Sequence, residues 1–546
     1  MISKLQIVKK SLSKVISNKN SFQIFYVIIG IIFICFLGFI FTKDIELWID
    51  IGIADEAKYL GDGVNIFTTM PVPSWGPIYS LWYYCLSLFS TDNINLYYLN
   101  YKLMTILPCI ALYLFLLKMK VTPALSFYFS FALLISIINL PTWPKVSHFA
   151  LALIFIGLVL VHSNKAKNSR LLAAFIISLI ITYIRPEFIL SSILLFGIVI
   201  KRFMKNDFGL KRLMMAILTI LIFIFLIGIP YSHGRNLTAF GQAYHKYLDF
   251  SDRVDDDGAK DWTEILSENF ENPETITDVV LNNSNKFIKH IGINLSRLPM
   301  LYLNSIETLL PNKIFPVSRL IKLLIVLLII STIFVLLLFN KMGKYRDIIF
   351  NEFTEKRDLL IFSIIFSLPP LASMILYYPR SHYILLFLPL IYLVVSQMLM
   401  PLKFNSYIKN IISFCFLIAV SFFFIPQLSS VLTRSNFKNL NAVHSIRNLK
   451  LSERINLLEN EGGLNVYLPG NYNWIKLESK EMNFDDFVDK RKIDMIYYSN
   501  SLNNSVQLKR DSTWFEFLNN PDTFGFKKLT RKDGGTIYIR KDIKIN

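Results

Sequence analysis

Gly76-Pro77-Ile78-Tyr79-Ser80-Leu81-Trp82-Tyr83-Tyr84 decides how this chain is threaded through a membrane. Apolar runs long enough to span hydrocarbon as helices, about 20 residues each, occur at 22–42, 96–117, 123–140, 146–162, 170–184, 187–200, 213–231, 319–340, 358–378, 382–400 and 407–425. If 76–90 were a further span, Lys118 and Lys120 would fall outside and every later connection would invert. The segment is short and rich in Trp and Tyr, which favours a helix lying in the membrane interface. With 76–90 juxtamembrane and the N-terminus cytoplasmic, the inner connections hold Lys118 and Lys120, then Lys165, Lys167 and Arg170, then Lys201, Arg202, Lys205, Lys211 and Arg212, then Lys341 to Arg357, then Lys403 and Lys409. Basic residues sit on the inside at each turn, as the positive-inside rule requires.

Composition agrees with this threading. The 546 residues are 53% hydrophobic, 14% aromatic and 18% charged, with mean hydropathy +0.45; soluble chains carry about 25% charged residues. The expected fold is an α-helical polytopic membrane protein of about eleven transmembrane helices. The net charge of +18 falls in short clusters between apolar runs, which speaks for cytoplasmic loops and against nucleic acid as a partner. Met1 to Asn20 carries Lys4, Lys9, Lys10, Lys14 and Lys19 ahead of an apolar run too long for a signal peptide, so it reads as an uncleaved anchor. Cys35, Cys85, Cys109 and Cys415 lie in apolar stretches outside any CxxC pair, a pattern that offers neither a zinc site nor a disulfide framework.

The outer face then receives the loop 43–95, the loop around Pro141-Thr142-Trp143-Pro144-Lys145, the Arg185-Pro186-Glu187 turn, the segment 232–318, the Tyr378-Pro379-Arg380-Ser381-His382 turn, and everything after about residue 427. Asp55 and Glu56 stand in the first of these, in Ile53-Ala54-Asp55-Glu56-Ala57-Lys58-Tyr59-Leu60. Two ionised carboxylates do not belong in hydrocarbon, where each costs about 2.5–3.5 kcal/mol even on the most lenient scale. The expected domains are 1–426, membrane-embedded, and 427–546, a small extracytoplasmic α/β unit. In the second, Ser452 to Leu458 reads as helix, Gly463 to Leu468 as strand, Ile493 to Tyr498 and Gly535 to Arg540 as strands, and Thr513 to Leu518 as helix. It carries no glycine-rich phosphate loop and no His/Cys cluster, which leaves acceptor recognition, a lid, or packing without chemistry.

Taken together, Asp55-Glu56 after the first span, Tyr59, Gly76-Pro77-x-Tyr79, Arg185-Pro186-Glu187, and Tyr378-Pro379-Arg380-x-His382-Tyr383 leading into Leu388-Pro389-Leu390 resemble the GT-C superfamily of integral-membrane glycosyltransferases. The likeness is to the bacterial branch that looks like protein O-mannosyltransferases and aminoarabinose transferases. The resemblance implies an acidic catalytic motif in the first outer loop, and a sugar taken from a polyprenyl-phosphate carrier at the outer face for a lipid, glycan or protein acceptor. Many members carry a second acid in the next outer loop. Here that loop reads Pro141-Thr142-Trp143-Pro144-Lys145-Val146-Ser147-His148, which makes Lys145 or His148 an alternative contact to phosphate.

Such a transfer needs a carboxylate to orient or deprotonate the acceptor hydroxyl, and cations to stabilise the departing phosphate. Asp55 is the candidate for the first role; in a helix over 54–66 it shares a face with Tyr59 and Asp62. Glu56 points elsewhere, toward orienting Lys58 or, with Asp55, holding a divalent cation, the one cofactor the pattern leaves open. The competing structural role for both acids is dipole complementarity at a helix start, about 0.3–1 kcal/mol. Arg380 is the main phosphate candidate because its fixed planar fork stands at the edge of hydrocarbon; a snorkelling anchor is its plain alternative. His382 and Tyr383 follow it. Arg185 and Glu187 flank a proline and either contact substrate or pair with each other. Lys102 lies inside an apolar span and requires a partner or an aqueous cavity. Asp252 to Asp261 does not match an EF-hand loop and reads as solvated. The sequons at Asn236, Asn282, Asn294 and Asn503 are predicted to face outward. A transporter or flippase of lipid-linked glycans is the alternative function.

Overall fold

Asp92 accepts the backbone N–H groups of Ile94 and Asn95 and so starts a 26-residue helix, Asn93–Lys118, that runs through the centre of the molecule. A computed structural model describes residues 19–136, 138–140, 144–249, 262–309, 356–399, 437–477, 483–503, 505–530 and 535–545. In chain order its first half holds α1 (Lys19–Phe41), α2 (Asp55–Val64), α3 (Pro77–Ser87), α4 (Asn93–Lys118), α5 (Pro123–Ile135), α6 (Val146–Ser163), α7 (Lys167–Thr182), α8 (Ile189–Met204) and α9 (Leu210–Ile227). There follow α10 (His233–Asp249), α11 (Trp262–Phe270), α12 (Ile276–Asn282), α13 (Ser284–Leu309), α14 (Arg357–Leu376), α15 (Ser381–Leu385) and α16 (Leu388–Leu399).

Among the described residues five helical segments are long and apolar enough to cross a membrane: Ile24–Leu47, which is α1 with the turn after it, then α4, α6, α9 and α14. This is a helical membrane protein. The apolar helices α5 and Ser381–Gln397 are shorter. Nine of the eleven apolar segments expected from sequence fall on described residues, apart from 137 and 400, and each contains a helix there, although the one expected over 123–140 is helical only to Ile135; 319–340 and 407–425 lie outside the described residues. The segment expected to run unbroken over 382–400 is instead two helices, α15 and α16. At 11 residues, α3 is about 16 Å long, half of what hydrocarbon requires.

Helix α4 packs against α1, α5 and α6, and α6 passes the stack on to α7. Lys102, the charge within α4, reaches Glu46 at 3.4 Å. Helices α2 and α3 form a pair above this stack. They approach so closely at Gly63 that a Cβ there would stand 2.4 Å from the Ser80 carbonyl oxygen.

The C-terminal unit opens with α17 (Lys438–Arg447) and holds a five-stranded sheet of β1 (Ile455–Leu458), β2 (Tyr472–Ile475), β3 (Met495–Tyr498), β4 (Phe526–Thr530) and β5 (Thr536–Arg540), in the order β2-β1-β3-β5-β4. β1 runs parallel to β2 and β3, and β5 antiparallel to β3 and β4. Two expectations are corrected here. Ser452 to Leu458 is not helical: its Ile455-Asn456-Leu457-Leu458 run is buried between two neighbours as β1. Gly463 to Leu468 is not a strand, because Leu464–Tyr467 coil into a 3-10 turn whose Leu464 and Tyr467 are buried. The strand expected in 493–498, the strand in 535–540 and the helix in 513–518 all form, the last as Ser512–Asn519.

This unit is docked on the first connection of the membrane part. Asp50 accepts from the backbone N–H of Asn439 and of Leu440, both at 2.8 Å, so it caps the start of α17 from another part of the chain. Arg447 pairs with Asp92 at 2.7 Å, and Asn93 donates to the Val466 carbonyl at 2.6 Å. Glu459, itself buried, accepts four backbone N–H groups from Glu461 to Leu464 and shapes the Gly462-Gly463 turn. The Gly462 carbonyl then takes the N–H of Ala54.

Candidate functional site

The two adjacent acids part company at the first turn of α2. Ala54 precedes them with φ 60°, a left-handed conformation that strains a residue with a Cβ by about 1–3 kcal/mol. The turn it makes brings the helix in so that Asp55 is half-exposed while Glu56 points inward. Glu56 is 0% exposed. Its Oε1 accepts from the Tyr83 hydroxyl at 2.6 Å, the Tyr79 hydroxyl at 2.7 Å and the Asn100 amide at 3.1 Å, and its Oε2 from the Lys145 backbone N–H at 3.3 Å. Burial pushes this carboxyl above the usual range, against the pull of the two tyrosine hydroxyls. Glu56 is thus the bolt between α2, α3, α4 and the start of α6. It neither orients Lys58 nor shares a ligand set with Asp55.

Lys145 and His148 belong to the same buried interior. The Lys145 ammonium donates to the carbonyls of Asn139 at 2.8 Å and Leu140 at 3.0 Å, and lies 4.1 Å from the centre of the Tyr101 ring. His148 is likewise fully buried, with Nε2 3.0 Å from the Asn139 carbonyl. Both side chains are engaged inside the protein, and neither reaches its surface. Residues 141–143, the centre of that loop, lie outside the described residues.

A second group gathers on the side that Asp55 faces. Gly76, at φ 64°, lets the chain turn from Trp75 into α3 where a Cβ would stand 2.6 Å from the Ile184 carbonyl oxygen and 3.1 Å from the Tyr59 ring. This close approach seats Trp75 beside Tyr59, with ring centres 6.1 Å apart, and draws α3 to the Arg185 turn, where Ile78 N–H donates to the Tyr183 carbonyl. Two cations clasp the Trp75 ring: the Lys58 ammonium and the Arg235 guanidinium are each 4.4 Å from its centre. Burial and Arg235 lower the Lys58 ammonium, while Asp62 and Asp55 draw it back up. Arg235 Nη1 is buried without a hydrogen-bond partner among the described residues, and so is Asp62 Oδ2.

Arg185 closes the group. Its Nε donates to Glu187 at 2.6 Å, its Nη1 to the Ser147 hydroxyl at 2.6 Å, and its guanidinium lies 5.0 Å from the centre of the Tyr383 ring. The Arg185–Glu187 pair left open by the sequence is therefore formed. Tyr59 feels Arg235, Asp55 and Arg185 together, and Tyr377 feels Tyr383, Glu187 and Arg235. Arg380 is exposed just before α15, with no ion pair among the described residues, and His382 is buried behind it with its ring 4.4 Å from that of Tyr383. Of the predicted residues, Asp55, Lys58, Tyr59, Arg185, Glu187 and Tyr383 come together; Glu56, Lys145 and His148 form a separate buried core.

Sequence reasoning passed over Arg235 and Trp75. The signal for Arg235 was available, for it is a basic residue in the first turn of α10, past the end of α9 opposite its Lys211-Arg212 start. Among the described residues no group of three or more His, Cys, Asp or Glu side chains is arranged to hold a metal. Of the sequons, Asn294 is buried, its amide donating to the carbonyls of Ile375 and Tyr377, so its side chain is not presented at the surface of the folded chain. Asp252 to Asp261 lies outside the described residues. No protein-family model matches this chain, and comparison with curated proteins gives no match.

Proposed function

We propose that this protein is a membrane glycosyltransferase that moves a sugar from a polyprenyl-phosphate donor to an acceptor hydroxyl at the outer face of a cell's inner or plasma membrane, with its C-terminal unit on that same side. The observation that carries the reading is one half-buried carboxylate, Asp55, whose charge acts on Lys58 and Tyr59, beside the Trp75 ring that Lys58 and Arg235 clasp, with one Arg235 donor unpartnered among the described residues. In this reading Asp55 takes the acceptor proton as the acceptor oxygen bonds to the anomeric carbon from the face opposite the leaving group. The bond from that carbon to the phosphate oxygen breaks, and the carrier phosphate departs with the electron pair. Lys58 and Arg235 stabilise its growing charge in a site partly shielded from water, while Arg185, tied to Glu187 and Ser147, shapes the wall. Arg380, exposed at the rim, meets the donor headgroup first. A flippase would spread charged groups along a path through the helices, whereas these lie at helix ends and in connections.

The test is turnover by purified protein in proteoliposomes with a polyprenyl-phosphate sugar, beside mass analysis of envelope lipids and glycans from cells with and without the chain. Asp55→Asn is expected to abolish transfer with membrane insertion intact. Arg235→Ala is expected to weaken donor binding by a factor of about 10–100, in line with the loss of a charge-assisted contact of about 1.5–3 kcal/mol. Normal turnover by Asp55→Asn removes that carboxylate from the chemistry. Translocation of a lipid-linked glycan without bond formation favours the flippase.

A further inference from the structure

The sheet of the C-terminal unit begins in the order β2-β1-β3, with β1 parallel to both neighbours. The chain therefore leaves β1 toward one side and later returns past it to lay down β3 on the other. In open α/β sheets such a reversal of strand order marks the ligand position, at the carboxyl ends of the two strands where it occurs. Here those ends run on into 459–463 after β1 and 499–501 after β3. The two loops are laced together, the Ser501 hydroxyl donating to the Asn460 carbonyl at 2.9 Å and the Asn460 amide to the Ser501 carbonyl at 3.2 Å. Asn500 is exposed. Glu461, paired with Lys438 at 2.9 Å, is the one charged group of either loop besides the buried Glu459.

An aromatic ring stands beside this edge. Trp474 of β2 is paired in register with Leu457 of β1, whose side chain belongs to the apolar core shared with the membrane part, so the indole is on that same face of the sheet. At 37% it is the one exposed ring among the described tryptophans. Its Nε1 donates to the Glu459 carbonyl at 3.1 Å, which fixes the orientation of the ring at the carboxyl edge. An aromatic face carries partial negative charge and suits the C–H groups that line one side of a pyranose, whose hydroxyls then need amide and carboxylate partners. Asn460, Asn500 and Glu461 are partners of that kind. The ligand that fits is a neutral sugar, since Lys438 already balances Glu461.

The same edge bears on Asp55. The Glu459 carboxylate accepts the Gly462 N–H at 2.9 Å, and the Gly462 carbonyl accepts the N–H of Ala54, the residue directly before Asp55. Gly463 approaches α2 so closely that a Cβ there would stand 2.7 Å from that of Ala57. We infer that the carboxyl edge of β1 and β3, with Trp474 beside it, is the acceptor subsite. A neutral pyranose of a glycan acceptor stacks on Trp474 and is held by Asn460, Asn500 and Glu461, while a neighbouring unit of the same glycan brings its hydroxyl to Asp55. The acceptor role rests on the transferase reading of Asp55, whereas sugar binding at this edge does not.

The test uses the full chain in phosphatidylcholine nanodiscs, free of glycosidic detergent, titrated with maltotriose, mannotriose and chitotriose and read by saturation-transfer NMR. At least one of these is expected to bind, with Trp474→Ala weakening it by about tenfold. Trp474→Phe is expected to keep most of the affinity, since phenylalanine preserves an aromatic face and lacks the indole N–H. Binding of none of the sugars, or equal binding by the native chain and Trp474→Ala, overturns the inference. Equal losses in Trp474→Ala and Trp474→Phe do so as well, for then only the bond to Glu459 mattered. Asn500→Ala, at an exposed position, reads the same edge through a loss of about threefold should the Trp474 variants fail to fold. In the turnover assay Trp474→Ala is expected to raise the KM for acceptor by about tenfold, with kcat and the KM for donor unchanged. Sugar binding that depends on Trp474 in a chain that transfers nothing keeps the sugar site and rejects the transferase reading.

Discussion

At the scale of single residues, neighbours in sequence have been given opposite tasks by one helical turn. Asp55 and Glu56 are about 100° apart around α2, enough to leave one beside solvent and bury the other among two tyrosine hydroxyls and an amide. The buried half of the pair explains Lys145, a lysine with no exposed atom to speak of. Burial brings its ammonium down to about 7 from the ordinary 10.5, while Glu56 pulls the other way. Between pH 7 and 10.5 the unfolded chain therefore carries a proton at this position that the folded one has released. Stability then rises with pH across that window, since the unfolded state binds more protons there, and the slope vanishes below it once both states are protonated. Thermal unfolding in detergent is expected to show this rise in the native chain and a flatter profile in Lys145→Met. An identical profile in both would mean that the ammonium stays charged in the folded protein.

At the scale of elements, the turn from Trp75 through Gly76 into α3 brings the cation-clasped ring next to the Arg185 turn. Gly76→Ala meets two obstacles, a φ of 64° and a Cβ 2.6 Å from the Ile184 carbonyl oxygen. The cost is expected at about 1–3 kcal/mol for the backbone alone, read as a lower unfolding temperature in detergent, with donor affinity falling as Trp75 shifts. Gly234→Ala, where a Cβ meets open space, is the matched control and is expected to leave both unchanged. Elements of this kind were legible in sequence to different degrees. The short aromatic segment at 76–90 was recognisable as a non-spanning helix because length and Trp/Tyr content are local properties. The helix starts at Asp55 and Pro77 were equally local. The assignments at 452–468 came out reversed, since Ile-Asn-Leu-Leu fits either a helix or a strand buried on both sides, and only the neighbours β2 and β3 decide between them. Arg185–Glu187 was visible as a pair, whereas the burial of Glu56, Lys145 and His148 depends on how α4 and α6 pack, information that no local pattern carries.

At the scale of the whole molecule, the C-terminal unit is joined to the first connection through groups that come from opposite ends of the chain. Asp50 supplies the cap that α17 lacks locally, for its own N-cap, Phe437, has no side-chain oxygen to offer. Arg447 on the last turn of α17 reaches Asp92, the residue that caps α4. One short helix is thus pinned at both ends to the connection that carries Asp55, and the Gly462 carbonyl holds Ala54, the strained residue directly before it. Losing the cap costs about 0.5–2 kcal/mol, and the Arg447–Asp92 pair, partly exposed, adds less. Asp50→Ala together with Arg447→Ala is expected to loosen the contact without unfolding the sheet, whose core of Phe484, Trp514, Phe517 and Phe526 lies elsewhere. Limited proteolysis in detergent then releases a C-terminal fragment beginning near residue 437 faster than from the native chain, and turnover falls as α2 loses its support at Ala54. Equal cleavage rates with equal turnover would mean that the sheet unit holds its seat through other contacts, chiefly Tyr467 beneath Gly52, and that the position of Asp55 does not depend on the cap.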